Sequence, residues 1–157
     1  MKAYRKLTAL LLAFSLTLGF GTAVFAEEET ETETEDLSVA IDVEAFDELI
    51  ASGIVADDET IASSEWATKV KEAGVLRVGG TRTSFLFSQL DETDNSLRGF
   101  DAGLYQLLAR YILGDETAFE LTQVDSSTRE SVLQSDQVDV VVATYSITDS
   151  RKEVISV

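Results

Sequence analysis

The chain has 157 residues, which is enough for one ordinary domain. Its 29 acidic and 12 basic residues leave a formal net charge of −17, and so acidic a chain repels nucleic acid and anionic lipid. It contains no cysteine, histidine or proline, which excludes disulfides, a thiol nucleophile and the side chain that serves most often as general base and metal ligand. We therefore expect no nucleic-acid partner, no metal, no cofactor and no catalytic residue.

The first 26 residues have the pattern of a secretory signal peptide. Three basic residues precede an apolar segment at 7–20, and the sequence "AVFA" ends at Ala26. The apolar segment is short for a spanning helix, which needs about 20 apolar residues. We predict a signal peptide at 1–26, export across the cytoplasmic membrane, and a periplasmic or extracellular location. An uncleaved membrane anchor is the alternative.

A strongly acidic stretch follows at 27–36, where seven of ten residues are acidic. Such a segment cannot bury enough apolar surface to fold. We predict a disordered linker over 27–41. A metal-binding acidic patch is the alternative.

Residues 42–74 are predicted to form an N-terminal helical segment. Apolar residues recur at helical spacing over 45–50, with Asp42 as the cap, and again over 61–73. In the second helix, Trp66 is interpreted as a packing residue. A ligand-stacking role is the alternative.

From residue 75 onwards, short apolar runs alternate with helical ones. A hairpin or a loose loop is expected around the polar turn at 91–96. The last apolar run is continuous, as expected for a strand covered on both faces. Because strands and helices alternate, the predicted fold class is α/β with a largely parallel sheet. The predicted strands are 75–79, 118–124 and 138–143.

Polar and cationic side chains follow each of the three predicted strands. Arg82 follows the first, Arg129 the second, and Thr144, Ser146 and Arg151 the third. Because the carboxyl ends of parallel strands meet at one edge of the sheet, we expect these side chains to lie together. Guanidinium groups match the geometry of a carboxylate, and hydroxyls supply further hydrogen bonds. The pattern predicts a site for a small carboxylate.

The same arginines also have alternative, purely structural interpretations. Arg82 and Arg129 are alternatively solvated surface residues. Arg151 is alternatively the ion-pair partner of Asp149 or Glu153.

Capping residues predict three helix starts in this region. Asp101 and Thr148 are interpreted as helix caps. Ser127 and Glu130 have the spacing of a capping box. A capping role explains all four residues without a ligand.

Several stretches of the chain resemble the family 3 extracellular solute-binding proteins, which are the polar amino acid receptors of bacterial ABC importers. They are "GVLRVGG", "GFDAGLYQLLA" and "VLQSDQVDVVVATYSITDSR", and the resemblance covers residues 64–157. It implies a periplasmic-binding-protein-like (type II) fold. Residues 75–157 would form the first part of lobe 1, and the second lobe would be absent from this chain.

The resemblance also implies roles for individual residues. In this family, a serine or threonine pair and the arginine of the last motif bind the α-carboxylate of the ligand. Those positions are Thr144, Ser146 and Arg151 here. Glutamate and aspartate receptors add arginines that match Arg82 and Arg129. The resemblance thus implies a monomeric receptor for glutamate or aspartate that works with an ABC transporter permease.

Several positions depart from the family's usual pattern, including Ser84, where an aromatic residue is common. Of its Pro-Pro-Phe sequence after the first strand, only Phe87 is retained, and Phe87 is kept as a ligand-binding residue. Gly103 stands where the helix start usually has a second aspartate. These departures bear on which amino acid is bound.

Two other functions fit the same scaffold. One is an enzyme, either a dehydratase of cyclic acids (cyclohexadienyl-dehydratase-like) or a murein-cleaving hybrid. Such an enzyme needs a general acid or base in its cleft, for which Asp101 is the nearest candidate. The other is the ligand-sensing domain of a membrane receptor kinase. We predict a binding protein without enzymatic activity.

Overall fold

The computed structural model describes residues 40–157. The predicted signal peptide, and the predicted linker up to residue 39, lie outside the described residues. The helices are α1 (Val43–Ala51), α2 (Asp58–Ala62), α3 (Glu65–Ala73), α4 (Phe100–Leu113), α5 (Arg129–Gln134) and α6 (Asp149–Lys152). The strands are β1 (Leu76–Gly80), β2 (Thr83–Ser84), β3 (Ser88–Asp91), β4 (Ser96–Arg98), β5 (Phe119–Gln123) and β6 (Val140–Val141).

The central sheet has three parallel strands in the order β5-β1-β6. Leu76 of β1 pairs with Phe119 of β5, and Val78 of β1 pairs with Val140 of β6. The α/β fold class with a parallel sheet is therefore confirmed. A second, antiparallel sheet in the order β2-β3-β4 contains the hairpin that was expected around residues 91–96.

Local side-chain caps decide where the first helices begin. Asp42 caps α1 by accepting a hydrogen bond from the backbone N of Ala45 at 3.0 Å. The prediction of one helix over 61–73 is wrong, because α2 ends at Ala62 and α3 begins at Glu65. The break occurs at Ser64, whose Oγ accepts a hydrogen bond from the N–H of the third residue of α3 at 3.2 Å and so starts a new helix.

Helix α4 packs its apolar face against the central sheet. Tyr105 and Ile112 of this helix are almost completely buried, together with Leu76 and Val78 of β1. The Tyr105 hydroxyl lies 3.2 Å from Ser88 Oγ, so the buried polar atom has a partner. Burial raises the pKa of Tyr105 to about 12. This core holds the amino end of α4 beside the strand ends.

A buried arginine connects helix α1 to the antiparallel hairpin. The Arg98 side chain is only 3% exposed, and its Nη2 lies 2.8 Å from Asp47 and 2.7 Å from Asp94. Its Nη1 lies 3.2 Å from Asp91. The hydrogen bond from Arg98 lowers the pKa of Asp94 to about 2, and the carboxylates of Asp47 and Asp94 raise the pKa of Arg98.

Gly103 allows α1 to lie against α4. A methyl group placed on Gly103 would lie 3.4 Å from the Phe46 ring and 3.5 Å from Ile50 Cδ1. These distances leave no room for a larger side chain unless α1 moves. The glycine that departs from the family pattern is thus a packing position for the N-terminal helix.

The expectation that the strand at 138–143 is covered on both faces is wrong. Its regular part is the two-residue strand β6, and both of its residues are only half-buried because they line an open groove. Val140 and Val141 line a groove of about 700 Å³ with Trp66 and Leu133. Trp66 is 38% exposed and donates its Nε1–H to the Asp139 carbonyl at 3.1 Å. It borders this groove and does not enter the core.

Candidate functional site

A polar pocket of about 290 Å³, the strand-exit pocket, lies where the strands of the central sheet end. The chain leaves β1 at Thr81, passes residues 124–126 after β5, and reaches residues 143–144 after β6. All three exits line the pocket together with Arg129. The parallel sheet brings them to one edge, as expected for such a sheet.

Arg129 is the cation of this pocket. Its Nη1 donates to the Ala143 carbonyl at 3.1 Å, and its guanidinium carbon lies 4.5 Å from the centroid of the Tyr145 ring. Its Nε is buried and has no hydrogen-bond partner among the described residues. Arg129 therefore keeps an unused donor in a place from which bulk water is excluded.

Arg151 approaches the same tyrosine. Its guanidinium carbon lies 4.2 Å from the centroid of the Tyr145 ring. Its Nη1 donates to the Ser146 carbonyl at 2.6 Å, and its Nε lies 3.3 Å from Oε1 of Glu130. Its ion-pair partner is therefore Glu130, and the alternative partners Asp149 and Glu153 are wrong. Asp149 instead pairs with Lys152 at 3.2 Å.

Tyr145 and Glu130 connect the two arginines. The Tyr145 hydroxyl donates to Glu130 Oε1 at 2.6 Å. Burial and this hydrogen bond raise the pKa of Tyr145, so its hydroxyl stays protonated at neutral pH. Both guanidinium carbons lie within 4.5 Å of the centroid of the Tyr145 ring, so the two cations lie close to each other. The tyrosine thus sets the spacing between the two cations.

The capping box predicted for Ser127 and Glu130 is wrong. The N-cap of α5 is Thr128, and it makes no side-chain capping bond. Asp125 organises this turn instead, because its Oδ1 accepts from Ser127 N at 2.7 Å and from Thr128 N at 3.0 Å. The hydrogen bonds from Ser127 and Thr128 lower the pKa of Asp125. Glu130 is therefore free to turn toward Tyr145.

Thr144 is held in the left-handed region of the backbone, with a φ of 50°. Asp101 Oδ2 accepts hydrogen bonds from the Thr144 backbone N at 2.7 Å and from its Oγ1 at 3.4 Å. The prediction that Asp101 caps a helix is wrong, because the N-cap of α4 is Gly99 and Asp101 is the second residue of the helix. The Asp101 carboxylate instead fixes the loop that contains Thr144.

The other predicted site residues do not line this pocket. Arg82 is exposed, and its Nη2 reaches the Leu121 carbonyl at 3.5 Å. Phe87 is 39% exposed, and its carbonyl accepts from Ala102 N at 3.0 Å. Ser146 is exposed, and only its carbonyl is engaged, by Arg151. Thr148 is an N-cap, as predicted, and accepts from Arg151 N at 3.3 Å.

The arginines of the described residues differ in their carboxylate partners. Four of the six lie within ion-pair distance of an aspartate or glutamate, namely Arg77, Arg98, Arg110 and Arg151. No such ion pair is formed within residues 40–157 by Arg82 or Arg129. Although the chain is strongly acidic, neither of these two arginines has a carboxylate partner among the described residues.

The part of the chain that the structure describes lacks a cluster of metal ligands and a helix able to span a membrane. There, no group of three or more aspartate, glutamate, histidine or cysteine side chains is arranged to hold a metal ion. Over the same residues, no helix has both the length and the apolar character that crossing a membrane requires.

Two curated proteins are similar to more than half of the chain. A glutamine-binding protein of Geobacillus stearothermophilus is 36% identical over 95 residues, which are 60% of this chain and 36% of the relative. The ABC transporter glutamine-binding protein GlnH of Bacillus subtilis (strain 168) is 32% identical over 84 residues, covering 54% of this chain and 31% of the relative. The chain thus spans about a third of the length of these relatives.

Solved structures share the fold. The cysteine-binding protein from Campylobacter jejuni aligns with a TM-score of 0.54 and 29% identity, over 57% of this chain and 36% of that protein. The solute receptor for L-cysteine of Neisseria gonorrhoeae aligns with a TM-score of 0.55 and 27% identity, over the same shares. Residues 76–157 match the family model described as bacterial extracellular solute-binding proteins, family 3. The chain therefore belongs to the family 3 bacterial extracellular solute-binding proteins.

Proposed function

We propose that the protein is the exported substrate-binding component of an amino acid ABC importer. The observation on which this rests is Arg129, which lies in the strand-exit pocket and whose buried Nε has no hydrogen-bond partner, and whose guanidinium no carboxylate partner, within residues 40–157. A guanidinium in that state is completed by an anionic ligand, because a buried unsatisfied donor costs free energy. The family and the names of the curated relatives support an amino acid as that ligand.

In this proposal, Arg151, Thr144 and Ser146 bind the α-carboxylate. Arg151 has its Nη2 free of hydrogen bonds to the described residues, and its Nη1 is fixed by the Ser146 carbonyl. The hydroxyls of Thr144 and Ser146 are exposed on the same loop. A planar guanidinium held in this way binds a carboxylate with two parallel hydrogen bonds.

For the side chain of the ligand, we propose glutamate or aspartate. Arg82 and Arg129 are the two described arginines without a carboxylate partner, and each keeps donors for a second carboxylate. Glutamine is the second candidate, because both curated relatives described above are named glutamine-binding proteins. Glutamate and glutamine have nearly the same shape, so the charge near Arg82 and Arg129 decides between them.

A binding role rather than a catalytic one is supported by the state of Asp101. This carboxylate is the nearest candidate for a general acid or base, yet it is 5% exposed and accepts two hydrogen bonds from Thr144. A catalytic carboxylate must reach a substrate proton. Asp101 is engaged in holding a loop, so we propose no catalytic residue.

Export, the permease partner and a monomeric state complete the proposal. The family consists of extracellular solute-binding proteins, and one relative is an ABC transporter glutamine-binding protein. Lobe closure around the ligand would then deliver it to the permease. Size-exclusion chromatography with light scattering measures the oligomeric state, and a mass that corresponds to more than one chain would reject the monomer.

Calorimetric titration of the full-length protein with each common amino acid tests the function. We expect glutamate and aspartate to bind more tightly than glutamine. Tighter binding of glutamine would replace the acidic ligand with the second candidate. Absence of binding by every amino acid would reject the receptor function itself.

A further inference from the structure

Glu130 is in direct contact with the cluster that Arg129 and Arg151 form around Tyr145. Its Oε1 lies 3.3 Å from Arg151 Nε and accepts the Tyr145 hydroxyl at 2.6 Å. The ring of the same tyrosine lies 4.5 Å from the guanidinium carbon of Arg129 and 4.2 Å from that of Arg151, measured from its centroid. One acidic side chain is thus placed beside two arginines that the proposed function assigns to the ligand.

Two other carboxylates lie close to this cluster, but hydrogen bonds from the backbone hold each of them. Asp125 lines the strand-exit pocket and accepts from Ser127 N at 2.7 Å. Asp101 accepts from Thr144 N at 2.7 Å. Neither aspartate forms an ion pair within residues 40–157. Glu130 therefore differs from both, because its charge directly offsets an arginine of the cluster.

The exposure of Glu130 lets its charge act on a bound ligand. Its side chain is 37% exposed and that of Arg151 is 24% exposed, so solvent screens the pair only in part. Near a protein surface, two unit charges a few ångströms apart still interact appreciably. A negative group of the ligand beside Arg129 is therefore attracted by that guanidinium and repelled by Glu130.

Glutamate and glutamine report this repulsion in different ways. Both have the same α-ammonium and α-carboxylate, whose charges sum to zero. The effect of Glu130 on this common part is the same for both ligands and cancels in the ratio of their dissociation constants. Their side chains differ, because one is a carboxylate and the other a neutral amide. The ratio therefore isolates the effect of Glu130 on the charge of the side chain.

We propose that Glu130 is a specificity-determining residue, whose negative charge weakens the preference of the site for an acidic side chain over its neutral amide. This inference rests on the proposed function, in which Arg129 faces the side chain of the ligand. The Tyr145 hydroxyl holds Glu130 beside the arginines, so Tyr145 is a positioning residue.

The experiment measures the ratio of glutamate to glutamine affinity by calorimetry on the full-length protein. In Glu130→Gln we expect this ratio to rise by about threefold to tenfold, because a repulsive charge has been removed from one side of the site. Glu130→Asp retains the charge and should keep the ratio nearer to that of wild type. Glu120→Gln, in an exposed position of β5, removes the same charge outside the cluster and should leave the ratio unchanged.

The dependence on salt separates a charge effect from a change in geometry. At about 1 M salt the Debye length is only about 3 Å, so the difference in ratio between wild type and Glu130→Gln should shrink. A displaced arginine would alter the ratio at every salt concentration. Thermal unfolding of each variant shows whether the fold is retained.

Several results would overturn the inference. An equal change for both ligands in Glu130→Gln would make this residue only a support or a competitor for Arg151. A lower ratio, or a rise that does not depend on salt, would also refute the role. If wild type binds neither ligand, the proposed function itself fails. If wild type binds both and Glu130→Gln leaves the ratio unchanged, only this inference fails.

Discussion

The carboxylate of Asp101 accepts a hydrogen bond at 2.7 Å from the backbone N of Thr144, which lies 43 residues later in the chain. The contact joins the first turn of α4 to the loop that lines the strand-exit pocket. Thr144 has a positive φ, a conformation that a β-branched residue adopts only when its surroundings enforce it. Asp101 supplies that constraint.

We therefore expect Asp101→Ala to affect both stability and ligand binding. The Thr144 N–H would lose its acceptor, and leaving such a partly buried donor unpaired costs about 1–3 kcal/mol. Urea unfolding should show this loss, and calorimetry should show weaker amino acid binding because the loop relaxes. Glu72→Ala, on an exposed position of α3, is the matched control and should change neither. Unaltered binding in Asp101→Ala would show that the loop does not need this support.

Arg151→Ala should abolish amino acid binding while the fold persists. Removing one partner of a desolvated charge pair costs about 2–5 kcal/mol, which converts micromolar affinity to millimolar or weaker. The adjacent Lys152→Ala is a matched control, because it also removes a cation from α6 but one that is 54% exposed and paired only with Asp149. An Arg151→Ala protein with the wild-type dissociation constant would exclude Arg151 from the site.

Arg129→Met should reduce the preference for glutamate over glutamine. Since the two ligands differ in charge, we expect the ratio of their dissociation constants to change by about tenfold or more, or about 1.4 kcal/mol. Arg82→Met should act in the same direction. Competition binding of glutamate, aspartate and glutamine measures both. If the two ligands weaken equally in both variants, neither arginine selects a charged side chain.

Arg98→Met should destabilise the fold at neutral pH by about 3 kcal/mol, because it leaves three carboxylates without their cation. The loss should depend on pH. The pKa of Asp94 is lowered to about 2 from the usual 3.8. This group therefore stabilises the folded state above pH 3.8, and its contribution is lost as pH falls toward 2.

Urea unfolding at several pH values checks this pair of expectations. Wild type should lose stability between pH 4 and 2 more steeply than Arg98→Met, whose Asp94 has no cation to pair with. Arg110→Met is the matched control, since its ion pair with Glu116 is more exposed and its removal should cost less. Parallel pH profiles for wild type and Arg98→Met would contradict the assignment.

We propose that the mature protein begins at or near Glu27. The apolar segment before it is short for a spanning helix, and "AVFA" suits a signal peptidase. Intact mass and N-terminal sequencing of secreted material measure the cleavage position. A full-length mass in the membrane fraction would favour the uncleaved anchor.

The fold and the site differ in how much the sequence predicts. The alternation of apolar runs identified a parallel sheet, and β1 lies within one residue of its predicted range of 75–79. Asp42 was predictable as a cap because its partner, Ala45, is three residues away. Such local patterns can be recognised because the residues that form them are close together in the sequence.

Contacts between distant residues have no such local signal. Glu130 matched a capping box, but Tyr145, 15 residues later, is its actual partner. Asp101 was predicted to cap a helix, but its partner is Thr144, 43 residues later. The motif around Arg151 predicts a ligand-binding role for that arginine, while Tyr145, which lies beside it, had no assigned role. When a side chain has two possible partners, tertiary packing determines which of them it contacts. The spacing of residues along the sequence does not describe that packing.

Helix α1 precedes the segment that is shared with the family, which begins at residue 76. Nevertheless, Asp47 of this helix neutralises the buried Arg98, and Phe46 lies against Gly103. A polypeptide cut just before Leu76 would leave that guanidinium partly unpaired and would expose the surface of α4 to water. The segment that matches the family model is therefore shorter than the set of elements that stabilise one another by direct contact.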